Sequence, residues 1–226
     1  MPLYKTITVT PQVKLYVWKV DEAEFELKKD LVLSIGSDHR LKGMKSEMHR
    51  RAYLSIRHLL ALAGYSDGDL FYDSSGKPHL RDGGHISISH SFQYTGIIVS
   101  YKQEVGIDIE KQRSKILRIA HKFTTFTVQG KIPNEQNFVR KLTILWGAKE
   151  SLYKIYATSG LSFLKNIFIA DFNMEQKKDT TAYIKYGKNQ ASYFIYFFEF
   201  DGFTCVYALQ SFENLLNKKT LKKLFL

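Results

Sequence analysis

The stretch 135–157 reads EQNFVRKLTILWGAKESLYKIYA. Phe138, Leu142, Leu145, Trp146, Leu152, Tyr153 and Tyr156 recur in it at helical spacing, on or near one face, and Ser159 with Gly160 supplies a breaker. A long amphipathic helix is therefore predicted. What lies on either side of it decides the fold class. Downstream, the runs 167–172, 180–186, 192–200 and 204–210 are rich in β-branched and aromatic residues and are separated by Gly, Asn, Asp and Lys. Upstream, 86–89, 95–101 and 105–110 read as short strands with polar breaks, and 115–123 carries a shorter helical signal.

Further toward the N-terminus the pattern repeats in kind. Two strand-like runs, 3–10 and 14–19, flank Pro11. From about residue 41 the period becomes helical, through Met44, Met48, Ala52, Ile56, Leu59, Leu60 and Ala63, with Gly64 as a left-handed stop. Lys42, Lys45, Arg50, Arg51 and Arg57 accompany that apolar face. Ser74, Ser75, Gly76, Lys77 and Pro78 form a turn. Each half thus offers a long helix followed by antiparallel-looking strands, although no sequence repeat links them. The expected class is α+β: two similar subdomains, 1–102 and 103–226, each a long helix packed on a small antiparallel sheet, with a seam near 101–104. The tail 214–226 mixes leucines with lysines; of two readings, a segment lying on a membrane surface and a helix docked on its own domain, the second is expected.

The 226 residues are 44% hydrophobic and 14% aromatic, enough for a core. No apolar run reaches the length of a membrane span, and residues 1–10 lack the layout of a secretory signal, so a soluble cytoplasmic protein is expected. Cys205 stands alone, which excludes an internal disulfide and a cysteine metal site. With 33 basic against 22 acidic residues, the net charge of +11 predicts attraction to polyanions without naming one.

Chemistry has to come from particular residues. Asp108 and Glu110 lie two apart on a strand, so their carboxylates share a face while Ile107 and Ile109 turn to the core. Two close carboxylates raise each other's pKa unless a cation lies between them, and hard oxygen ligands suit Mg²⁺. On the long helix, Glu150 and Lys154 are one turn apart, so a third carboxylate joins the set while Lys149 and Lys154 offer compact charges for phosphate oxygens. Gly76, Lys77 and Pro78 place a lysine in a fixed turn, and Ser87, Ser89 and Ser91 surround His90 at a strand end. Taken singly, each motif has a bland reading as a solvated strand face, a helix-surface ion pair or a loop cap.

The four motifs occur in one chain and in one order, and as a set the sequence resembles the phosphopantetheinyl transferases of the surfactin-synthetase-activating type. The resemblance runs from the helix near Lys42 to the strands after Gly160. It implies a pseudo-dimer of two subdomains with the active site at their seam. Position by position, it implies Asp108, Glu110 and Glu150 as magnesium ligands toward the pyrophosphate of coenzyme A. Lys154 matches a phosphate contact, Ser89 and His90 the 3'-phosphate side, Lys77 and Pro78 the turn that frames the nucleotide, and Arg50 a basic residue of the same pocket. The implied reaction transfers 4'-phosphopantetheine to a serine of an acidic apo carrier protein, with 3',5'-ADP leaving and a metal-bound carboxylate, Glu150, or a metal-bound water as general base. A monomer suffices, with no nucleic acid and no membrane insertion. One departure stands out: after Lys122 and Phe123 no acid occurs until Glu135, so an auxiliary carboxylate of the family is absent, and 126–137 becomes a candidate for carrier docking.

Two other classes compete. A magnesium nuclease would use Asp108 and Glu110 with Lys111, but Lys111 is adjacent to Glu110 and points to the other face. A basic nucleic-acid-binding module would suit the charge, but the basic residues are spread along the chain and form no binding motif.

Overall fold

The structure, a computed structural model, describes residues 3–125 and 134–211. The chain divides into two compact units, Met1–Lys102 and Gln103–Leu226. The first unit contains strands β1 (Leu3–Thr10) and β2 (Val13–Lys19), helices α1 (Glu24–Lys29), α2 (Ile35–Gly43) and α3 (Glu47–Leu62), then β3 (Leu70–Tyr72), β4 (Pro78–Leu80), β5 (His85–Ser91) and β6 (Tyr94–Ser100). Its main sheet is antiparallel in the order β1-β2-β6-β5, while β3 and β4 form a separate hairpin. Ile98 of β6 lies opposite Leu15 on one side and Ser87 on the other. Tyr53, Ile56, Leu59 and Leu60 of α3 join Tyr16, Trp18, Ile86, Ile97 and Val99 in the core, because the helical period and the strand alternation each deliver one apolar face.

The helix expected from about residue 41 is two helices. Ser46 caps α3 by accepting from the His49 amide, and Met44 is extended at the end of α2, so the apolar period on the sequence runs across a real break. No helical period in the sequence marks α1 or the first residues of α2. α2 buries Ser37 and Leu41 and depends on a clasp from elsewhere. Arg57 Nε donates to Asp67 Oδ1 at 2.9 Å, and the same carboxylate accepts from Ser37 Oγ at 2.9 Å and from the Ser34 amide at 2.8 Å.

The second unit runs β7 (Val105–Lys111), α4 (Lys115–Ile119), a 3₁₀ turn Ala120–Lys122, α5 (Glu135–Tyr156), α6 (Phe163–Asn166), then β8 (Ile167–Ile169), β9 (Asp179–Tyr186), β10 (Asn189–Phe200) and β11 (Phe203–Gln210). Its antiparallel sheet has the order β7-β11-β10-β9-β8. The helix expected over 115–123 is shorter and tightens into the 3₁₀ turn, and the strand expected over 167–172 ends at Ile169. The long helix ends one residue earlier than read, because Ala157 takes a left-handed cap with φ 46°. Leu142, Ala148, Leu152 and Ile155 of α5 pack with Phe123, Ile184, Ile195, Phe197 and Val206.

Two glycines let α5 lie close on β7 and β11. A Cβ on Gly106 would collide with the Ser151 carbonyl oxygen, and one on Gly147 would stand 2.7 Å from Val206 Cγ2. The α+β class read from the sequence is the class observed. No helix among the described residues is long and apolar enough to cross a membrane. The tail 214–226 and most of the segment 126–137 lie outside the described residues.

Candidate active site

β7 and α5 build the site. Alternation along β7 buries Ile107 and Ile109 and sends Asp108 and Glu110 to the opposite face. Because Gly106 and Gly147 bring α5 down on the strand, residues one turn apart on the helix, Glu150 and Lys154, meet that face. Lys154 Nζ donates to Asp108 Oδ1 and to the Ile107 carbonyl oxygen, both at 2.8 Å. Asp108 is 6% exposed. The lysine thus crosses from its helix to the strand, while its charge still reaches Glu150 one turn back.

The three carboxylates feel one another. Burial, and after it the charge of Asp108, pushes the Glu110 carboxyl up to about 7, with Glu150 adding to the rise. A hydrogen bond from Trp146 and the Lys154 charge work the other way. Glu150 is likewise held above its ordinary value by burial and then by Asp108, with Lys154 opposing. Among the described residues no group of three His, Cys, Asp or Glu side chains stands ready to hold a metal ion. The donor set nonetheless fits one in its chemistry. Carboxylate oxygens are hard ligands, and the repulsion that lifts Glu110 and Glu150 is what a divalent cation among them would remove.

Lys149 requires a correction. It was read as a phosphate contact, yet the residue is 6% exposed and its ammonium donates to the carbonyl oxygens of Phe163 and Ile167, at 2.6 Å each. Burial pulls its pKa down to about 8. It is a strut that ties α6 to α5. Trp146, which the helical period places on or near the apolar face of α5, does more than fill the core. Its side chain hydrogen-bonds Glu110, and its ring meets Phe123 at 5.2 Å and Phe163 at 5.4 Å between centroids. Trp146 also walls a cavity of about 230 Å³ beside Glu110, with Ile116, Ile119 and Thr143 and a rim of Lys111, Arg113 and Lys115. The signal for this cavity in the sequence is the apolar pair Ile116 and Ile119 on α4.

The remaining candidates belong to the first unit. Lys77 and Pro78 lie at the β3–β4 hairpin, where Asp73 Oδ1 accepts the Lys77 amide at 3.0 Å and Pro78 pairs with Tyr72. Ser89 and His90 sit on β5 opposite Gly96 and Thr95. The His90 ring meets that of His49, a residue the sequence reading passed over, edge to face at 5.9 Å. Arg50 is held by Glu24 at 2.8 Å and by the carbonyl oxygens of Met44 and Lys45 at 2.9 and 3.1 Å. Its guanidinium thus pins the entry of α3 to α1.

Residues 104–209 match the family model of the 4'-phosphopantetheinyl transferase superfamily. Over 193 residues the chain is 28% identical to the 4'-phosphopantetheinyl transferase HetI of Nostoc sp. (strain PCC 7120), an alignment that takes in 75% of this chain and 79% of that protein. The matched stretch contains Asp108, Glu110, Trp146, Glu150 and Lys154.

Proposed function

We propose that this chain, whose residues 104–209 match the family model of the 4'-phosphopantetheinyl transferase superfamily, belongs to that superfamily and moves the 4'-phosphopantetheine arm of coenzyme A onto a serine of an apo carrier protein, dependent on magnesium and in the manner of the surfactin-synthetase-activating type. The observation that carries this reading is the clustering of Asp108, Glu110 and Glu150 around Lys154 on the face where β7 meets α5. Carboxylates that hold one another above their ordinary values are relieved by a divalent cation among them.

In the proposed reaction the serine oxygen forms a bond to the β-phosphorus and the bond to 3',5'-ADP breaks. Glu150, the carboxylate that α5 brings to the face of β7, takes the serine proton. Lys154 holds a phosphate oxygen through its ammonium. Trp146 donates to Glu110 and so favours its ionised form. A magnesium ion held by Asp108, Glu110 and Glu150 would supply neutralisation of the charge that gathers on the pyrophosphate. Lys77, Pro78, Ser89, His90 and Arg50 are the proposed contacts for the nucleotide end, and a cytoplasmic monomer acting on acidic carriers completes the proposal.

The nuclease reading finds no support in the site. The cation on Asp108 is Lys154, while Lys111 Nζ lies 5.7 Å from the Phe203 ring centroid. Incubation with coenzyme A, magnesium and a panel of apo carrier proteins tests the proposal, with mass spectrometry reading the added arm on serine. Asp108→Ala and Glu150→Ala are expected to abolish the addition with an unchanged circular dichroism spectrum; a folded variant with wild-type turnover would refute the site.

A further inference from the structure

Lys154 reaches across from α5 and spends two of its N–H groups inside the acidic cluster, on Asp108 Oδ1 and on the Ile107 carbonyl oxygen, each at 2.8 Å. Asp108 is buried, and an ionised buried carboxylate demands a cation nearby. The lysine supplies that cation from within the chain. An ammonium has three donors, so one remains to meet an incoming oxygen. Its four-carbon stem is flexible, which lets the charge move without moving the helix.

We propose that Lys154 is an internal stand-in for the divalent ion, which holds Asp108 until metal and pyrophosphate arrive together and thereby couples the binding of the two. The inference rests on the metal reading of the site and deepens it. A divalent ion alone meets a carboxylate already shared with an ammonium, and the two cations repel. A pyrophosphate offers the ammonium new oxygens, so it draws Lys154 off Asp108 as the metal enters. By linkage the effect is reciprocal: whatever the anion does for the metal, the metal does for the anion. The bond from the Lys154 ammonium to Asp108 of the strand is what makes it a competitor of the metal as well as a phosphate ligand.

Mn²⁺ serves as the probe, its free concentration followed by electron paramagnetic resonance, in the wild type, Lys154→Gln and Lys154→Arg, with and without saturating coenzyme A. Glutamine keeps an N–H donor but carries no charge; arginine keeps the charge. In the wild type, coenzyme A is expected to tighten Mn²⁺ binding. Lys154→Gln is expected to bind Mn²⁺ alone about tenfold more tightly than wild type, the scale on which one adjacent charge biases a carboxylate, and to gain less from coenzyme A. Lys154→Arg is expected to follow the wild type. A folded Lys154→Gln, checked by thermal melting, that binds Mn²⁺ alone no more tightly than wild type overturns the proposal. Equal Mn²⁺ affinity of the wild type with and without coenzyme A overturns it without recourse to any variant. Transfer of the arm by the wild type, measured separately, distinguishes failure of this coupling from failure of the functional reading.

Discussion

At the scale of single residues, Gly106 and Gly147 do different amounts of the same work. Both sit where α5 approaches the sheet, but a Cβ on Gly106 would meet the backbone carbonyl of Ser151, whereas one on Gly147 would meet a methyl of Val206. Backbone cannot step aside and a side-chain methyl can. Gly106→Ala is therefore expected to cost about 3 kcal/mol or more, and Gly147→Ala about 1 kcal/mol, within the range seen for overpacked interiors. Urea unfolding of the two variants checks the order; equal losses would refute the argument from rigidity. Residue by residue, the sequence was informative about charge and face and poor about reach. It put Asp108, Glu110, Glu150 and Lys154 on shared faces through the two periods of strand and helix. It could not tell that Lys149, one position from Glu150, turns inward to the carbonyl groups of Phe163 and Ile167, because those partners are set by the turn after α5. Nor does a sequence reveal that the Trp146 ring reaches Glu110.

Among elements, the buried pair of Arg57 and Asp67 holds α2, α3 and the turn before β3 together. Arg57 also lies 3.4 Å from the centre of the Tyr53 ring and donates to the Tyr53 carbonyl oxygen. Burial raises the Asp67 carboxyl, but the hydrogen bonds from Ser34, Ser37 and Arg57 outweigh it and leave the carboxyl below its ordinary value. A depressed folded value means that the unfolded chain binds the proton more readily. The contribution is accordingly full above the unfolded value of about 3.9 and is lost as pH falls through the folded one. Acid unfolding monitored by circular dichroism should show this loss, and Asp67→Ala should abolish that part of the pH dependence while costing about 3 to 5 kcal/mol at neutral pH, since it strands a buried guanidinium. An unchanged acid profile in that variant would remove Asp67 from the account. The clasp also explains which elements the sequence disclosed. β7, α5 and β11 announce themselves through long apolar periods that packing then uses. α2, with Leu41 as its one large buried residue, has almost no period of its own and is fixed by a carboxylate from thirty residues downstream, which no local pattern contains.

At the scale of the whole molecule, the excess of 33 basic over 22 acidic residues leaves a charge of +11. A positive surface steers an acidic partner at a rate that salt suppresses. The rate of transfer to an acidic carrier at limiting concentration should therefore fall as sodium chloride rises from low to physiological levels, while the rate at saturating carrier changes little. A flat response in stopped samples analysed by mass would show that charge plays no part in encounter. The α+β class was legible because helix and strand periods alternate over long, separate stretches. The roles of residues in the first unit were less so, since His49 and His90 meet only through the pairing of helix with sheet. Cys205 lies within β11 at 0% exposure, and it is the sole cysteine of the sequence. A thiol-reactive dye or spin label would therefore find no native target on the folded protein, so a cysteine engineered anywhere on the surface becomes a unique attachment point, and reporter studies need no cysteine-free background.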